Sequence, residues 1–489
     1  MLIKKNKEEL QAYLEDTSNL KGNASLLYLP ENKNEVCAVI KDCSRKKIPF
    51  TISAGKTGTT GGCVPLEGAI ISVENLKKVI GIDKELKVVH LEPGVTFQEL
   101  ESQVNKSRLT LRASPTESLA CIGGAISTCA SGVRGFGYGS MRNYVCEIEM
   151  VLATGESIKI KRADFVSKKR FFNFIYEGNN FKFSVPFYNL PKVKSQAGYF
   201  TKDNMDLIDL FIGSEGTLGI ITSCKLALQE MAFNIFDGLV FFTRESDVFS
   251  FVNIIRELKE KGELKPASLE FFDRNALSLL RTEYPFIPEA EAGVYFEQEV
   301  ESNDNYNYLF EKWVSLIEET QALKDKTIFG DNVREREKIF EIRHKLPQLI
   351  NEFLRQHKQL KAATDIAVPW KNFIQMYDFY KEIARNSDID YVNFGHIAES
   401  HLHFNFLPKT DQESAKAKEY LKQFYKKAVS LGGTVSAEHG IGKIKKPYLK
   451  IMYNESQIKE MVMLKKYFDP QCLLGLDNIF EKELLFKHR

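Results

Sequence analysis

The segment Gly213-Ser214-Glu215-Gly216-Thr217-Leu218-Gly219-Ile220-Ile221-Thr222 decides the fold, because it is a glycine-rich turn set between two apolar segments that we predict to be strands. Glycines let the backbone of such a turn come close to a bound anion. Two earlier segments, SAGKTGTTGG at 53–62 and SPTESLACIGGA at 114–125, have the same character. One loop alone could be a tight turn and nothing more, but three in order could line one extended dinucleotide.

The loop at 53–62 differs from the phosphate-binding loop of nucleotide triphosphatases. Gly55-Lys56-Thr57 is similar to the end of that motif, but Phe50 stands where the motif requires glycine. The residues that follow are also too rich in glycine and threonine to begin a helix. The loop is therefore predicted to hold an anion with its backbone, outside that motif.

Composition excludes several functional classes. The 489 residues include 67 basic and 65 acidic side chains, and the net charge of +2 gives no field that would attract nucleic acid or an anionic membrane. The eight cysteines include no CxxC pair, so we expect reduced thiols. The charged N-terminus and the lack of an apolar run of about 18 residues predict no signal peptide and no transmembrane segment. We expect a protein that is cytoplasmic or peripheral on the inner membrane.

Changes along the chain divide it into three predicted parts. Residues 1–231 carry the glycine-rich loops, with a surface insertion at 163–205 where no period of two or 3.6 is sustained. Residues 232–430 alternate strands with amphipathic helices, and residues 431–489 form a C-terminal segment. A helix is also predicted at 4–20. The helices predicted within the middle part are 246–260, 304–321, 334–357 and 371–385.

The order of the three loops, with Leu91-Glu92-Pro93-Gly94-Val95 between the first two, resembles the FAD-binding domain of the vanillyl-alcohol oxidase and p-cresol methylhydroxylase superfamily. It looks like the branch that contains glycolate oxidase and D-lactate dehydrogenase, whose signature GSEGTLGIIT matches without a gap. The resemblance implies an α+β fold. A two-part FAD-binding domain, with a small α/β lobe and a larger mixed-sheet lobe, would span 1–231. An α+β cap domain would span 232–430, and a C-terminal helical segment would pack back on the FAD domain.

The resemblance also implies noncovalent FAD, since no covalent flavin-attachment motif is present. The chain departs from the branch at Ala54-Gly55-Lys56, where three glycines are usual, and at Thr128-Cys129-Ala130-Ser131-Gly132, where Thr-Asn-Ala-Gly-Gly is usual. The cofactor-binding positions that the resemblance implies are Ala54, Gly55, Lys56, Thr57, Gly58, Thr59, Pro115, Thr116, Ser118, Gly123, Gly124, Ser127, Glu215, Gly216 and Ile221.

Histidines and acids gather in two later segments, NFGHIAESHLHFN at 393–405 and GGTVSAEHGIG at 432–442. His401 and His403 are two residues apart in a predicted strand and therefore face the same side. His396 lies an odd number of residues from both, so a turn must intervene if it is to meet His403. Two or three imidazoles with a carboxylate suit zinc or a similar divalent ion. Hydrogen-bonded histidines on a strand face are the alternative.

The resemblance assigns roles to these residues. It implies that His396, His403 and Glu438 hold a divalent metal, zinc or manganese, and that His439 is the catalytic base. His401 stands where the branch usually has asparagine, so it could face the substrate or act as a fourth ligand.

Two further residues are similar to substrate-binding positions of the branch. Arg343 lies on a predicted helix and would bind the substrate carboxylate, for which a guanidinium has suitable geometry. A lone helical arginine is otherwise more often a solvated surface residue. Asn405 would approach the substrate from the strand face that carries His403.

The expected reaction is FAD-dependent oxidation of a D-2-hydroxy acid, such as D-lactate, glycolate or a compound like 2-hydroxyglutarate. Hydride would go to flavin N5. A transferase similar to alkylglycerone-phosphate synthase and a metallohydrolase are the alternatives, and Glu438-His439 argues against the transferase. A quinone, an electron-transfer flavoprotein, a separate protein partner or oxygen could reoxidise the flavin, and a homodimer stays open.

Overall fold

The computed structural model describes residues 1–486, and they form an α+β protein. Its first lobe has a four-stranded sheet, in the spatial order Leu2–Lys4, Leu26–Leu29, Ala69–Ser72 and Phe50–Ser53. The last three strands are parallel, so crossover connections must join them, and the first of these connections is a helix. That helix, Lys33–Lys46, begins at Asn32, whose side chain accepts the Glu35 amide. It buries Val36, Val39, Ile40 and Cys43.

The second lobe is built on a five-stranded antiparallel sheet. Its strands, in spatial order, are Val79–Asp83, Val88–Leu91, Ile220–Ala227, Val145–Val151 and Ser157–Lys161. The glycine-rich turn at 213–219 leads directly into the central strand, so a loop that could contact a ligand starts from the middle of this sheet. A two-residue pairing joins Leu109–Thr110 to Gln229–Glu230 beside it.

The segment 163–205 is more than a surface insertion, and the prediction was wrong on this point. Its first half contains an antiparallel hairpin of the strands Phe171–Tyr176 and Asn179–Ser184. In its second half Tyr199 is fully buried, and the Tyr199 hydroxyl lies 2.8 Å from Thr217 Oγ1. This segment therefore packs against the glycine-rich turn.

A larger sheet, which we call the cap sheet, forms the third unit. Seven of its strands are, in spatial order, Ile328–Gly330, Asn234–Phe242, Ala292–Val300, Pro266–Asp273, Tyr391–His396, His401–Phe406 and Ala362–Ala363. Ile366–Ala367 also pairs with His401–Phe406. Helices cover both faces, so Phe236 enters one core and Leu239 the other. Burial on both sides explains why the strand Asn234–Phe242 is almost entirely apolar.

The four helices predicted in the middle part are confirmed to within two residues at each end. They are Glu245–Glu260, Asn303–Glu319, Val333–Gln356 and Phe373–Ser387. The predicted helix at 4–20 is wrong in extent, because only Lys7–Leu10 and the 3-10 turn Gln11–Tyr13 are helical. Asp16 explains the early end, since its Oδ1 accepts the amide of Ser18 at 2.9 Å and makes a local turn.

The last part of the chain returns to the first lobe. Phe468, at the end of the helix Glu455–Phe468, packs edge-on against Phe211 with ring centroids 5.4 Å apart. Leu474 then forms a parallel bridge with Phe50, and the Gly475 amide donates to the Phe50 carbonyl at 2.8 Å. The first lobe is therefore completed by residues from the far end of the sequence.

The remaining helices are mostly short. The α-helices are Phe97–Val104, Ile122–Thr128, Gly135–Tyr138, Ile208–Phe211, Arg274–Arg281, Asp411–Ser430, Lys446–Met452 and Glu483–Phe486. The 3-10 turns are Asn105–Ser107, Met141–Asn143, Lys324–Lys326, Trp370–Asn372 and Ile397–Glu399. Across residues 1–486, none of the helices combines the length and apolar character needed to cross a membrane.

Candidate active site

The three glycine-rich segments enclose one cavity of about 360 Å³. The predicted cofactor residues in its lining are Ala54, Gly55, Lys56, Thr57, Gly58, Thr59, Pro115, Thr116, Gly123, Gly124, Ser127, Glu215, Gly216 and Ile221. Ser118 is a predicted cofactor residue that the lining does not include. The lining also contains Thr60 and Cys121, which lie in the first two glycine-rich segments but were not predicted to bind the cofactor, and Asp16, which lies outside all three segments.

The walls of the cavity suit a dinucleotide. In the first loop, the amides of Lys56, Thr57, Gly58 and Thr59 donate no hydrogen bond to residues 1–486, so they remain available for phosphate oxygens. A Cβ added at Gly124 would meet only the Ala54 Cβ, at 3.9 Å, so the space in front of Gly124 is open. These free donors and small side chains fit the pyrophosphate and the extended shape of FAD.

Lys56 marks the departure from the usual three glycines. Its φ of +57° lies in the left-handed region, where a side chain is unfavourable. The Lys56 ammonium lies 4.3 Å from the centre of the Tyr13 ring, and the Tyr13 hydroxyl donates to Glu74 at 2.7 Å. The lysine side chain therefore packs on the N-terminal segment, and the glycine-like backbone of the loop is kept.

Three histidines meet at one hairpin of the cap sheet. The turn Ile397–Glu399 and Ser400, whose φ is +54°, separate the strand that carries His396 from the strand that carries His401 and His403. This is the turn that the spacing required. The ring centroids of His396 and His403 are 5.6 Å apart, and those of His401 and His403 are 4.5 Å apart.

Glu438 brings a carboxylate to these rings from the distant loop at 432–442. Its Oε1 lies 3.3 Å from His396 Nε2 and 3.4 Å from His403 Nε2. One ligand atom each from His396, His401, His403 and Glu438 lies within 4.8 Å of the others. The chemistry of this donor set, imidazole nitrogens with a carboxylate oxygen, fits a divalent metal.

Glu270 and Arg343 stand behind His396. Glu270 Oε1 lies 2.5 Å from His396 Nδ1, and Glu270 Oε2 accepts from Arg343 Nε and Nη2 at 3.2 and 3.1 Å. Burial alone would raise the pKa of Glu270, but the charges of His396 and Arg343 outweigh it and bring the pKa to about 2. Arg343 is only 5 % exposed and paired, so it is not the solvated surface residue of the alternative interpretation. Its role toward a substrate carboxylate stays a prediction.

Asp365 organises the loop that carries Glu438 and His439. Its carboxylate accepts the backbone amides of both residues, at 3.2 and 3.0 Å, and it also accepts Lys445 Nζ at 2.5 Å. His439 Nδ1 lies 3.5 Å from Asp365 Oδ2, which orients the ring. Burial lowers the pKa of His439, and Asp365 opposes this shift only in part. The lowered pKa favours the neutral form of the His439 imidazole.

Sequence reasoning missed Lys194. It lies in the segment at 163–205, and its ammonium donates to Glu438 Oε2 at 2.7 Å and to Glu399 Oε2 at 3.2 Å. Burial alone would raise the pKa of Glu438, but Lys194 and His396 hold it well below its ordinary value. Lys194 thus binds one oxygen of Glu438 and leaves the other oxygen facing the histidines.

Glu215 connects two of the motifs. Its carboxylate accepts the amides of Ile441 and Gly442 at 2.8 and 2.6 Å, so the turn at 213–219 is joined to the loop at 432–442. Burial raises the pKa of Glu215 to about 7. Since Glu438 and His439 also line the cavity of about 360 Å³, the loop at 432–442 and the glycine-rich segments contribute to one site.

Asn405 is fully buried on the same strand as His403. Its side-chain amide donates to the His403 carbonyl at 2.8 Å, and no partner for its Oδ1 is found among residues 1–486. The structure therefore ties Asn405 to the backbone of His403, and its approach to a substrate stays a prediction.

Comparison with protein families gives two matches. Residues 24–161 match the FAD binding domain family, and residues 239–475 match the FAD linked oxidases, C-terminal domain. Together these matches cover most of both lobes and the cap sheet.

Curated relatives align over nearly the whole chain. A D-lactate dehydrogenase of Anaerostipes hadrus is 28% identical, over 94% of this chain and 90% of its own length. The glycolate oxidase subunit GlcD of Bacillus subtilis is 26% identical, over 93% of this chain and 88% of its length. A D-2-hydroxyglutarate dehydrogenase of Stutzerimonas stutzeri is 23% identical, over 97% and 95%.

Solved structures share the fold. p-Cresol methylhydroxylase with substrate bound superimposes with a TM-score of 0.74 at 15% identity, covering 98% of this chain and 94% of that one. An alkyldihydroxyacetonephosphate synthase superimposes with a TM-score of 0.68 at 15% identity, covering 97% and 81%. Because the fold is common to an oxidising enzyme and a synthase, these likenesses do not distinguish the two activities.

Proposed function

Since the chain contains an FAD binding domain and the C-terminal domain of FAD linked oxidases, we propose that it oxidises a D-2-hydroxy acid to the 2-oxo acid with noncovalent FAD. One observation carries this proposal. Glu438 and His439 line the same cavity as the three glycine-rich segments, so an acid held at the histidine cluster would face the cofactor.

The substrate class rests on the relatives and on the donor set. The names of the relatives specify D-lactate, glycolate and D-2-hydroxyglutarate, which all carry a hydroxyl group next to a carboxylate. Two adjacent oxygens of this kind suit a divalent cation. In the proposal, His396, His403 and Glu438 hold zinc or manganese. That ion would polarise the substrate hydroxyl and make it more acidic.

His439 is proposed as the base that accepts the hydroxyl proton. Its Nδ1 faces Asp365, so its Nε2, which lies 3.6 Å from Glu438 Oε1, is the nitrogen directed toward the cluster. FAD, when bound, takes the hydride from the substrate Cα. The hydroxyl proton goes to His439 Nε2 and the C–O bond becomes a carbonyl, so two electrons and both hydrogens are accounted for. A neutral imidazole is required for this role, and burial favours the neutral form of His439.

Other residues in the proposed site have positioning roles. Asp365 orients His439 through the backbone amide and the ring. Glu270 fixes the ring of His396 and leaves Nε2 toward the cluster, a common arrangement for a metal-binding histidine. The electron acceptor, whether a quinone, an electron-transfer flavoprotein or a separate protein partner, and a homodimer rest on the resemblance alone.

Anaerobic reduction of the flavin tests the proposal. Purified protein should absorb near 450 nm, and D-lactate, glycolate or D-2-hydroxyglutarate should bleach this band, whereas the L-enantiomers of the chiral acids should not. His439→Gln should keep the flavin and be reduced about 10²- to 10⁴-fold more slowly. Absence of bleaching with every D-2-hydroxy acid would favour the transferase activity, and colourless protein would refute the flavin assignment.

A further inference from the structure

His401 is a buried histidine whose ring nitrogens have no hydrogen-bond partner among residues 1–486. The side chain is fully buried. Its Nε2 lies 3.0 Å from Asp365 Oδ1, a contact that is an ion pair only if the ring is protonated. A buried polar group left unpaired costs about 1–3 kcal/mol, so such a ring in a polar cluster calls for a partner.

The other two histidines of the cluster, His396 and His403, indicate what kind of partner the His401 ring would have. Each has an acceptor beside Nδ1, which is Glu270 Oε1 for His396 and the Thr364 carbonyl, at 3.4 Å, for His403. In both, Nε2 is then left facing Glu438 Oε1. Metal-binding histidines commonly have one nitrogen held by an oxygen and the other free for the ion.

In His401 the nearby oxygen lies at the other nitrogen, since Asp365 Oδ1 is 3.0 Å from Nε2, and Nδ1 has no partner among residues 1–486. We infer that His401 is a fourth protein ligand, and that the ion is held by three imidazoles and the carboxylate of Glu438. This inference rests on the proposed function, because it concerns the same ion. The common 4.8 Å range of the ligand atoms from all four residues supports it.

The fourth ligand changes which ion is expected. Imidazole suits zinc, nickel, copper and iron, whereas magnesium, calcium and manganese prefer oxygen ligands. Exchanging the asparagine that is usual in related proteins for His401 adds one nitrogen to the set and removes an amide. The protein should therefore retain zinc through dialysis, and manganese should not displace it.

Metal binding by three variants of the flavin-loaded protein tests this inference. The variants are His401→Asn, His403→Asn and, as a matched control outside the site, His90→Asn on the strand Val88–Leu91. Zinc affinity would be measured by competition with a chromophoric chelator. Cobalt-substituted protein would be recorded in the visible, because the cobalt spectrum responds to the number and type of ligands. Flavin content at 450 nm shows that each variant is folded.

We expect His401→Asn to weaken zinc binding by more than the roughly 100-fold that loss of a supporting residue costs, and to change the cobalt spectrum. His90→Asn should match the wild type. An unchanged cobalt spectrum with an affinity loss within 100-fold would overturn the fourth ligand. If His403→Asn loses zinc in that case, only this inference fails. If neither the wild type nor any variant binds zinc, the metal site of the proposed function fails as well.

Discussion

Arg343→Met removes the guanidinium whose Nε and Nη2 donate to Glu270 Oε2 at 3.2 and 3.1 Å. Arg343 and Glu270 are 5 % and 1 % exposed, so water cannot replace the lost donors. The carboxylate would keep only its contact with His396. We therefore expect unfolding of the cap domain to become easier, because the buried Glu270 carboxylate loses one of its two counter-charges and keeps only His396.

The size of the effect follows from this burial. Removing one partner of a buried ion pair costs about 3–5 kcal/mol, whereas removing an exposed pair costs under about 1 kcal/mol. Arg355→Met is a matched control on the same helix, since Arg355 is 81 % exposed and its ion pair with Glu352 is 3.8 Å long. The control should change the free energy of unfolding by no more than about 0.5 kcal/mol.

Tryptophan fluorescence during urea unfolding can measure the difference. The chain has two tryptophans, Trp313 and Trp370, and both lie among the cap helices and turns, so the signal reports this part of the protein. The steady-state KM for the hydroxy acid would be measured on the same samples. A loss of stability below about 1 kcal/mol with a KM raised more than tenfold would refute the reasoning. It would show that Arg343 binds the substrate carboxylate, as the family resemblance implied.

Three further outcomes are expected. Gly124→Val should abolish flavin absorbance in folded protein, because the valine side chain would enter the cavity. Gly81→Val is the control, since a side chain at Gly81 also has open space but lies outside this cavity, and this variant should keep the flavin. Lys194→Met should lower metal affinity or activity about 10- to 100-fold, because Lys194 supports the Glu438 carboxylate. Lys192→Met, at an exposed position in the same segment, should not have this effect. Equal effects of the two variants would contradict the proposed support of Glu438 by Lys194. Burial raises the pKa of Glu215 from 4.5 to about 7, so its stabilising contribution is present below pH 4.5 and lost as the pH rises through 7. Between pH 4.5 and 8, Glu215→Gln should therefore gain about 3 kcal/mol of unfolding free energy relative to the wild type, and parallel pH profiles in urea unfolding would contradict this.

The sequence predicted the elements whose burial is uniform. The strand Asn234–Phe242 was predicted correctly because cores on both faces make most of its residues apolar, and Leu239 to Phe242 form an unbroken apolar run. In the hairpin at 171–184 the signal was present but overlooked. Phe172, Phe181 and Phe183 alternate with exposed polar residues, as a half-buried strand requires.

The site residues also fall into two groups, those that local sequence spacing could indicate and those that only the tertiary structure brings to the site. Spacing alone gave only a condition for His396 and His403 to meet, that a turn separates their strands, and the structure contains that turn. Glu270 and Lys194 could not be found, since each reaches the cluster from a separate part of the chain and no local spacing encodes a tertiary contact. The role of Asp365 likewise depends on backbone amides that lie more than 70 residues away.

The return of residues 472–478 to the first lobe affects the order in which the protein can be made. Leu473 and Gly475 exchange backbone hydrogen bonds with Phe50, and the Asn478 side chain donates to the carbonyls of Gly62 and Glu215 at 2.8 and 3.1 Å. Gly62 and Glu215 line the cavity, so its wall is incomplete while these late residues are still inside the ribosome. Flavin loading should therefore follow synthesis of the chain, and a single proteolytic cut before residue 472 should release the cofactor from a lobe whose own sequence is intact.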